Sequence, residues 1–237
     1  MQLFYLTRPS AEQGELNAIE TRHCVKVLRH RIGDIIHAID GQGNMYRARI
    51  SQIYKDRTDL ELLESRQNWG EHGKTLRLIV SPLRLKDRFE WLIEKAVELG
   101  VTEIFPIQCQ RTDPYKSKFK PERIQTLMLT ALKQCKRSRL PTLHPLQSLT
   151  SFLEQEREGP SFLAYCEAQS QMTHHQPKIV ATSQLSILIG PEGDFTEEEV
   201  QQAQHQACFP VLLGDQRLRT ETAALFALSQ VKTYWGY

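Results

Sequence analysis

The stretch SILIGPEGDFTEEEV, residues 186–200, governs the reading of the whole chain. A short apolar run ending at Ile189 leads straight into Gly190-Pro191-Glu192-Gly193, and a helix signature follows within a few positions. That order is a strand, a glycine turn and a helix. Turns of this kind hold cofactors in many proteins, but two common ones do not fit here. The turn lacks the Lys-Ser/Thr pair of a phosphate-binding P-loop and the G-x-G-x-x-G of a dinucleotide fold. Thr196 and Glu199 are spaced as a capping box, and Phe195 and Val200 stand at the positions of a hydrophobic staple. Those roles account for Glu197, Glu198 and Glu199 without chemistry, and three carboxylates at the positive helix end repel a phosphate. The turn therefore suits a ligand without phosphates, held by backbone groups.

Outward from this stretch, strand-like runs at Leu76–Val80, Thr102–Ile107, Phe162–Cys166, Leu185–Ile189 and Val211–Leu213 alternate with helical ones. The alternation from residue 75 onward predicts an α/β domain with a largely parallel sheet. Phe89, Leu92, Ile93, Ala96 and Val97 share one face of a helix over 86–99 that Gly100 ends. Ile124, Leu127, Met128, Ala131, Leu132 and Cys135 form a second stripe at helical spacing, and Trp91 lies on the otherwise polar face of the first helix. Residues 212–231, LLGDQRLRTETAALFALSQV, repeat the strand–glycine–loop–helix order around Gly214. The helix after Thr222 is apolar on nearly all sides, so it is expected to be buried within the domain or against a second subunit. Two such loops at the carboxyl ends of adjacent strands are where open α/β sheets bind ligands, although two ordinary tight turns explain the pattern as well.

Residues 1–66 read differently, as strands near 2–6, 34–40, 45–54 and 57–64, with a brief helix around 20–29 and a turn at Gly41-Gln42-Gly43. This is a small β-rich unit compatible with a barrel, and residues 67–74, QNWGEHGK, read as a linker. The expected domains are therefore 1–70 and 75–237.

Bulk properties narrow the class. The chain has 237 residues, 40% hydrophobic and 24% charged, which suits a soluble protein with a real core. No apolar run is long enough to span a membrane, and MQLFYLTRPS lacks the basic start and apolar stretch of a signal peptide. Five cysteines, an odd number with no C-x-x-C pair, fit reduced thiols in a cytoplasm better than disulfides or zinc. His174-His175 has no cysteine or acidic partner at a ligand spacing, so no metal site is expected.

The net charge of +2 conceals an asymmetry. Residues 71–140 carry 15 Lys and Arg against 8 Asp and Glu, whereas residues 141–237 carry 5 against 11. Between 111 and 139 only Asp113 and Glu122 are acidic, while Arg111, Lys116, Lys118, Lys120, Arg123, Lys133, Lys136, Arg137 and Arg139 are basic. Lys133, Lys136 and Arg137 fall opposite the apolar stripe. A basic helix face behind a basic loop is an electrostatic footprint for nucleic acid, with a solvated helix face as the bland alternative. A second basic group, Arg8, Arg22, His23, Lys26, Arg29 and Arg31, lies in the β-rich unit.

These residues carry a family likeness. GPEG after an apolar strand, with LG and LRTETA some twenty residues on, resembles the RsmE-type ribosomal RNA methyltransferases of the SPOUT class. HCVKVLR (23–29), DRFEWLIEKAVELGV (87–101) and RSRLP (137–141) agree with that family in order along almost the whole chain. The resemblance implies an N-terminal PUA-like β-barrel, a C-terminal SPOUT α/β domain with a deep trefoil knot, and a homodimer. It also implies S-adenosylmethionine (SAM) as cofactor and N3 of one uridine in the decoding region of 16S ribosomal RNA, in the small ribosomal subunit, as the target. It places the SAM pocket on Leu163 and Ala164, on Leu188, Ile189, Gly190, Pro191, Glu192 and Gly193, and on Leu212, Leu213, Gly214, Leu218, Arg219, Thr220 and Thr222. The sulfonium of SAM is positive and the molecule has no phosphate, so a turn of backbone groups near Glu192 suits it. Two departures from the pattern stand out: Asp194 follows Gly193 where a second glycine is usual, and Lys133 and Lys136 stand where Glu and a small residue are common.

Methyl transfer to an imide nitrogen needs the uridine exposed, its proton removed or the developing anion stabilised. Arg219 is the candidate for anion stabilisation. Glu221 is a candidate base, with helix initiation as the competing and favoured explanation of that residue. Arg8, Lys26 and Arg29 are expected on RNA from the barrel, and Arg111, Lys116, Lys118, Lys133, Lys136, Arg137 and Arg139 from the larger domain. Two alternatives stay open: a non-catalytic RNA-binding or ribosome-assembly protein of the same fold, and a methyltransferase of this class with another RNA target.

Overall fold

The computed structural model describes residues 1–113 and 120–237. Lys116 and Lys118 lie outside the described residues. The chain divides into two compact units, one of Met1–Glu71 with Leu129–Leu140, the other of His72–Met128 with Pro141–Tyr237.

The first unit is a closed barrel of five strands, β1 (Leu3–Thr7), β2 (Gln13–Leu16), β3 (Ile35–Ile39), β4 (Asn44–Ile53) and β5 (Thr58–Gln67), in the order β1-β2-β5-β4-β3. Closure comes from the parallel pairing of β1 with β3, Phe4 opposite Ala38. Period-two alternation sends Phe4, Leu6, Leu16, Ile36, Ala38, Ala48, Ile50 and Leu60 into one core. The expected hairpin forms around Gly41 and Gly43, both at positive φ. The Asp40 carboxylate organises that turn, accepting from the backbone N–H groups of Gln42 (2.7 Å) and Asn44 (3.1 Å) and from the Asn44 side chain (2.7 Å). The brief helix is α1 (Ala18–Thr21), capped by Asn17, running on as a π-helical turn over Arg22–Val27.

Residues 68–71 do not behave as a free linker. The Glu71 carboxylate accepts from the backbone N–H groups of Ser138 (2.9 Å) and Arg139 (2.8 Å) and from the Arg137 guanidinium (2.9 Å). Gly70, at φ +74, lets the two segments touch, since a Cβ there would stand 2.3 Å from the Lys136 carbonyl oxygen.

The second unit is built on a parallel sheet in the order β12-β10-β11-β6-β7-β8, from β6 (Thr75–Val80), β7 (Glu103–Gln108), β8 (Thr142–Leu143), β10 (Ser161–Ala164), β11 (Gln184–Ile189) and β12 (Cys208–Val211), with β9 (Gln147–Ser148) also on β7. The central strands are near-continuous apolar runs because both faces are covered. Around them lie α2 (Lys86–Glu98), α3 (Pro121–Gln134), α4 (Leu149–Leu153), α5 (Gln176–Val180), α6 (Glu197–His205) and α7 (Thr220–Trp235), α3 running on into the first unit. Phe89, Leu92, Ile93, Ala96 and Val97 of α2 are buried as their spacing predicts. Ala224, Ala227, Leu228, Val231 and Trp235 of α7 are buried, and α7 packs on α2, α5 and β11. Phe226 of α7 and Trp91 of α2 remain 43% and 46% exposed.

Two strands stop earlier than their apolar runs predict. β12 ends at Val211 because the Leu212 N–H turns to the Ser170 carbonyl (2.8 Å) and the Leu212 carbonyl accepts from Met172 N–H (2.9 Å). β10 ends at Ala164, and the Cys166 N–H turns to the Asp194 carboxylate (3.1 Å). Both departures turn the chain out of the sheet at its carboxyl edge and tie it to neighbouring loops.

Candidate cofactor site at the carboxyl edge of the sheet

The carboxyl ends of β10, β11 and β12, neighbours in the sheet, open onto a cavity of about 920 Å³, within the range of small-molecule sites. Three loops line it: residues 164–167, residues 189–195 and residues 212–219, with the first residues of α7 beyond.

The middle loop is the opening stretch of sequence. Its capping box forms as spaced, Thr196 Oγ1 accepting from Glu199 N–H (3.3 Å) and the Glu199 carboxylate accepting from Thr196 N–H (2.9 Å). Phe195 and Val200, the staple pair, sit in the core of the unit. The other Glu199 oxygen accepts from Gln110 N–H (2.8 Å), so this carboxylate also ties α6 to the exit of β7. Gly190 is required by a close approach: a Cβ there would lie 3.1 Å from both the backbone nitrogen and Cδ2 of Phe195. Asp194 explains its own departure from the glycine pattern. It sits at φ +64, a conformation aspartate tolerates better than most residues, and its carboxylate accepts from Phe195 N–H (2.8 Å) and Cys166 N–H (3.1 Å). One side chain thereby joins the first loop to the second.

Of the residues expected at the cofactor, Ala164, Ile189, Gly190, Pro191, Glu192, Gly193, Leu212, Leu213, Gly214, Leu218, Arg219 and Thr220 line this one cavity. Leu163 and Leu188 do not; their side chains are fully buried in the core beneath it. Thr222, in the first turn of α7, is exposed and outside the lining. The Glu192 carboxylate is held by the backbone N–H of Arg84 (3.1 Å).

Arg219 stands at the N-cap of α7 with extended backbone and makes no side-chain cap bond. Glu221, 9% exposed, reaches Arg88 of α2 at 3.7 Å. Arg88 also lines the cavity and went unnoticed in the sequence, where it is one more cation at a helix start. Tyr165, Cys166, Glu167 and residues 215–217 went unnoticed too, since they lie just past strand ends that the apolar pattern misplaced. Burial, then the bonded and charged Asp194, push the Cys166 thiol up to about 11.

The basic residues separate into three groups. Lys133 and Arg137 were expected to face RNA; instead their charges are engaged within the protein. Lys133 Nζ donates to Glu20 (2.5 Å), and Arg137, 5% exposed, is paired with Glu71. Those partners lie 113 and 66 positions away, out of reach of a helical-periodicity argument. Arg111 lines the cavity, with its Nη1 on the Gly193 carbonyl (2.6 Å). Arg8, Lys26, Arg29, Lys136 and Arg139 are exposed in the first unit. Arg8, Arg29 and Lys136 hold positive φ, an uncommon conformation for such side chains.

The lining offers a test of cofactor chemistry. Among the described residues no lysine lines the cavity, which carries six carboxylates and four arginines. A nucleotide polyphosphate is poorly served by that balance. A zwitterion bearing an extra positive sulfonium and a neutral base is well served, with backbone groups of the three loops available to its polar edges. SAM has that composition, so the residues present fit it. Among the described residues no group of three or more His, Cys, Asp or Glu is placed to hold a metal ion.

Comparison with known proteins agrees. The RNA methyltransferase domain model matches residues 71–232, and the RNA methyltransferase PUA domain model matches residues 16–63. The chain belongs to this RNA methyltransferase family. Within it, the chain is 30% identical over 249 residues to the Ribosomal RNA small subunit methyltransferase E of Bacillus subtilis, covering 98% of this chain and 96% of that protein. The crystal structure of a Ribosomal RNA small subunit methyltransferase E from Neisseria gonorrhoeae, bound to S-adenosyl methionine, matches with a TM-score of 0.88 at 30% identity, over 99% of this chain and 98% of that one. A probable rRNA-methyltransferase from Porphyromonas gingivalis matches with a TM-score of 0.90 at 27% identity, over 99% and 98%. The β-barrel and parallel sheet are thus those of this family.

Proposed function

We propose that this chain is a SAM-dependent methyltransferase that methylates N3 of one uridine in the decoding region of 16S ribosomal RNA, acting on the small ribosomal subunit in the cytoplasm. The observation that carries the proposal is the lysine-free, backbone-rich cavity at the ends of β10, β11 and β12, whose charge balance suits a sulfonium cofactor. The B. subtilis relative, by its name, and the SAM-bound Neisseria structure support the substrate and the cofactor.

Bound in this cavity, SAM would supply an electrophilic methyl group. The protein's own work is to position a flipped-out uridine and to manage charge on its imide. Arg219, exposed in the cavity lining with its side chain uncommitted to capping, stabilises the anion left on N3 as its proton passes to solvent water. Glu221 holds Arg88 at the wall of the site, which favours an orienting role for this carboxylate over proton abstraction.

Arg8, Lys26, Arg29, Lys136 and Arg139 grip the RNA backbone from the barrel unit. Exposed Phe226, Trp91 and Leu85 on the α2–α7 side support pairing into a homodimer there. The deep knot implied by the family likeness belongs to the loops that line the cavity.

Calorimetric titration with SAM tests the reading. A single site per chain is expected, and a folded chain that binds no SAM contradicts it. Lys136→Glu and Arg139→Glu are each expected to lower the salt slope of RNA binding by about one and to leave SAM affinity alone. An unchanged slope removes those residues from the RNA surface.

A further inference from the structure

The 109–112 segment after β7 touches the cofactor loop more intimately than any RNA-facing role requires. Arg111 Nη1 donates to two carbonyl oxygens of that loop, Gly193 (2.6 Å) and Phe195 (3.3 Å). Its aliphatic stem lies against Gly193, where a Cβ would meet Arg111 Cδ at 3.1 Å and Cβ at 3.3 Å. The backbone on both sides of Arg111 is itself fastened. Gln110 N–H donates to buried Glu199 (2.8 Å), and the buried Thr112 hydroxyl accepts from Cys109 N–H (2.9 Å) and bonds Ser81 (2.7 Å). A guanidinium on an anchored backbone, bridging carbonyls two residues apart, fixes which way the peptide groups of the turn face. The far side of the same turn is fixed by Asp194, whose N–H reaches the Pro191 carbonyl (2.9 Å) and whose carboxylate holds Cys166.

We propose that Arg111 is a positioning residue for the Gly190–Asp194 turn and acts on the cofactor through it, in place of the RNA contact its charge first suggests. The proposal rests on the reading of the cavity as a SAM site. A turn held ready in its binding geometry spares the cost of ordering it when the ligand arrives. Lysine ends in a compact ammonium on a different stem and cannot place its donor where the rigid guanidinium holds Nη1, between the two carbonyls.

The test uses the full chain. Arg111→Met keeps the stem against Gly193 and removes the donors, and Arg111→Lys restores the charge with one donor group. The expected result for Arg111→Met is a SAM Kd and a SAM KM raised about tenfold or more. Its kcat at saturating SAM, its melting temperature and the salt slope of its RNA binding stay near wild type, and Arg111→Lys recovers part of the SAM affinity. A SAM affinity unchanged in both variants overturns the proposal. So does a salt slope lower by about one with SAM binding intact, which makes Arg111 a phosphate contact. A fall in kcat and melting temperature without a rise in SAM KM overturns it in favour of general structural support. A wild-type chain that binds no SAM fails at the cofactor reading itself, which the same titration separates from these results.

Discussion

Gly190→Ala is the most direct probe of why glycine stands at the end of β11. Gly190 does not hold positive φ, so backbone strain is not the reason for it. The reason is contact: the added methyl would sit 3.1 Å from the Phe195 nitrogen and 3.1–3.2 Å from its ring. Phe195 is 1% exposed and packed in the core with Val200, so it has little room to retreat. Alanine stiffens the unfolded chain, worth roughly 0.4–1 kcal/mol in favour of folding. Overpacking a dense core costs roughly 1–3 kcal/mol, so a net loss of about 1–2 kcal/mol is expected. For a chain of this size that lowers the melting temperature by roughly 2–8 °C. The effect on the ligand is separate. Pushing Phe195 strains its N–H bond to Asp194 and shifts the turn, so SAM affinity falls by about tenfold, the equivalent of one misplaced hydrogen bond. Differential scanning calorimetry and SAM titration on the same preparation read both quantities. A variant that melts higher than wild type and binds SAM equally well refutes the close-approach explanation.

Other predictions follow from individual contacts. Glu71→Ala leaves buried Arg137 without its carboxylate and two backbone N–H groups without an acceptor, so the denaturation midpoint falls by an amount equivalent to about 3–5 kcal/mol; a loss under about 1 kcal/mol contradicts the buried-pair assignment. Arg219→Ala lowers kcat by about a hundredfold to a thousandfold with little change in SAM Kd. Glu221→Gln lowers kcat by less than about tenfold, and a loss of a hundredfold or more makes it the base after all. The Cys166 thiol, raised to about 11, stays protonated at neutral pH, so its alkylation is slow at pH 7, quickens as the pH climbs toward that value, and is blocked by SAM. Full-rate labelling at pH 7 in the presence of SAM, located by mass spectrometry, counts against both its environment and its place in the cavity.

What was legible in the sequence was what short-range physics encodes. The capping box at Thr196 and Glu199 and the staple at Phe195 and Val200 are local, and they form as spaced. The central strands are apolar along their length because they are covered on both faces, and their alternation with helical runs made the parallel sheet legible. Strand ends were less legible: Leu212 is as apolar as Val211, yet its hydrogen bonds go to residues 170 and 172. The basic group at Lys133, Lys136 and Arg137, of which only Lys133 lies within α3, was less legible for a related reason. Spacing shows which side of a helix a lysine is on, but Glu20 and Glu71, which claim Lys133 and Arg137, are far away in the chain. Arg111 and Arg88 carried no signal beyond charge, since their meaning lies in the carbonyls and carboxylate they reach.

Every role assigned to the cavity serves transfer of a methyl group from SAM to one uridine. Small ribosomal subunits from a strain lacking the modification, incubated with this protein and methyl-labelled SAM, then digested and resolved by chromatography and mass spectrometry, test it most directly. Label is expected in 3-methyluridine alone, at one position of the decoding region. Label in another nucleoside, or no label from a chain that binds SAM and the subunit, contradicts it.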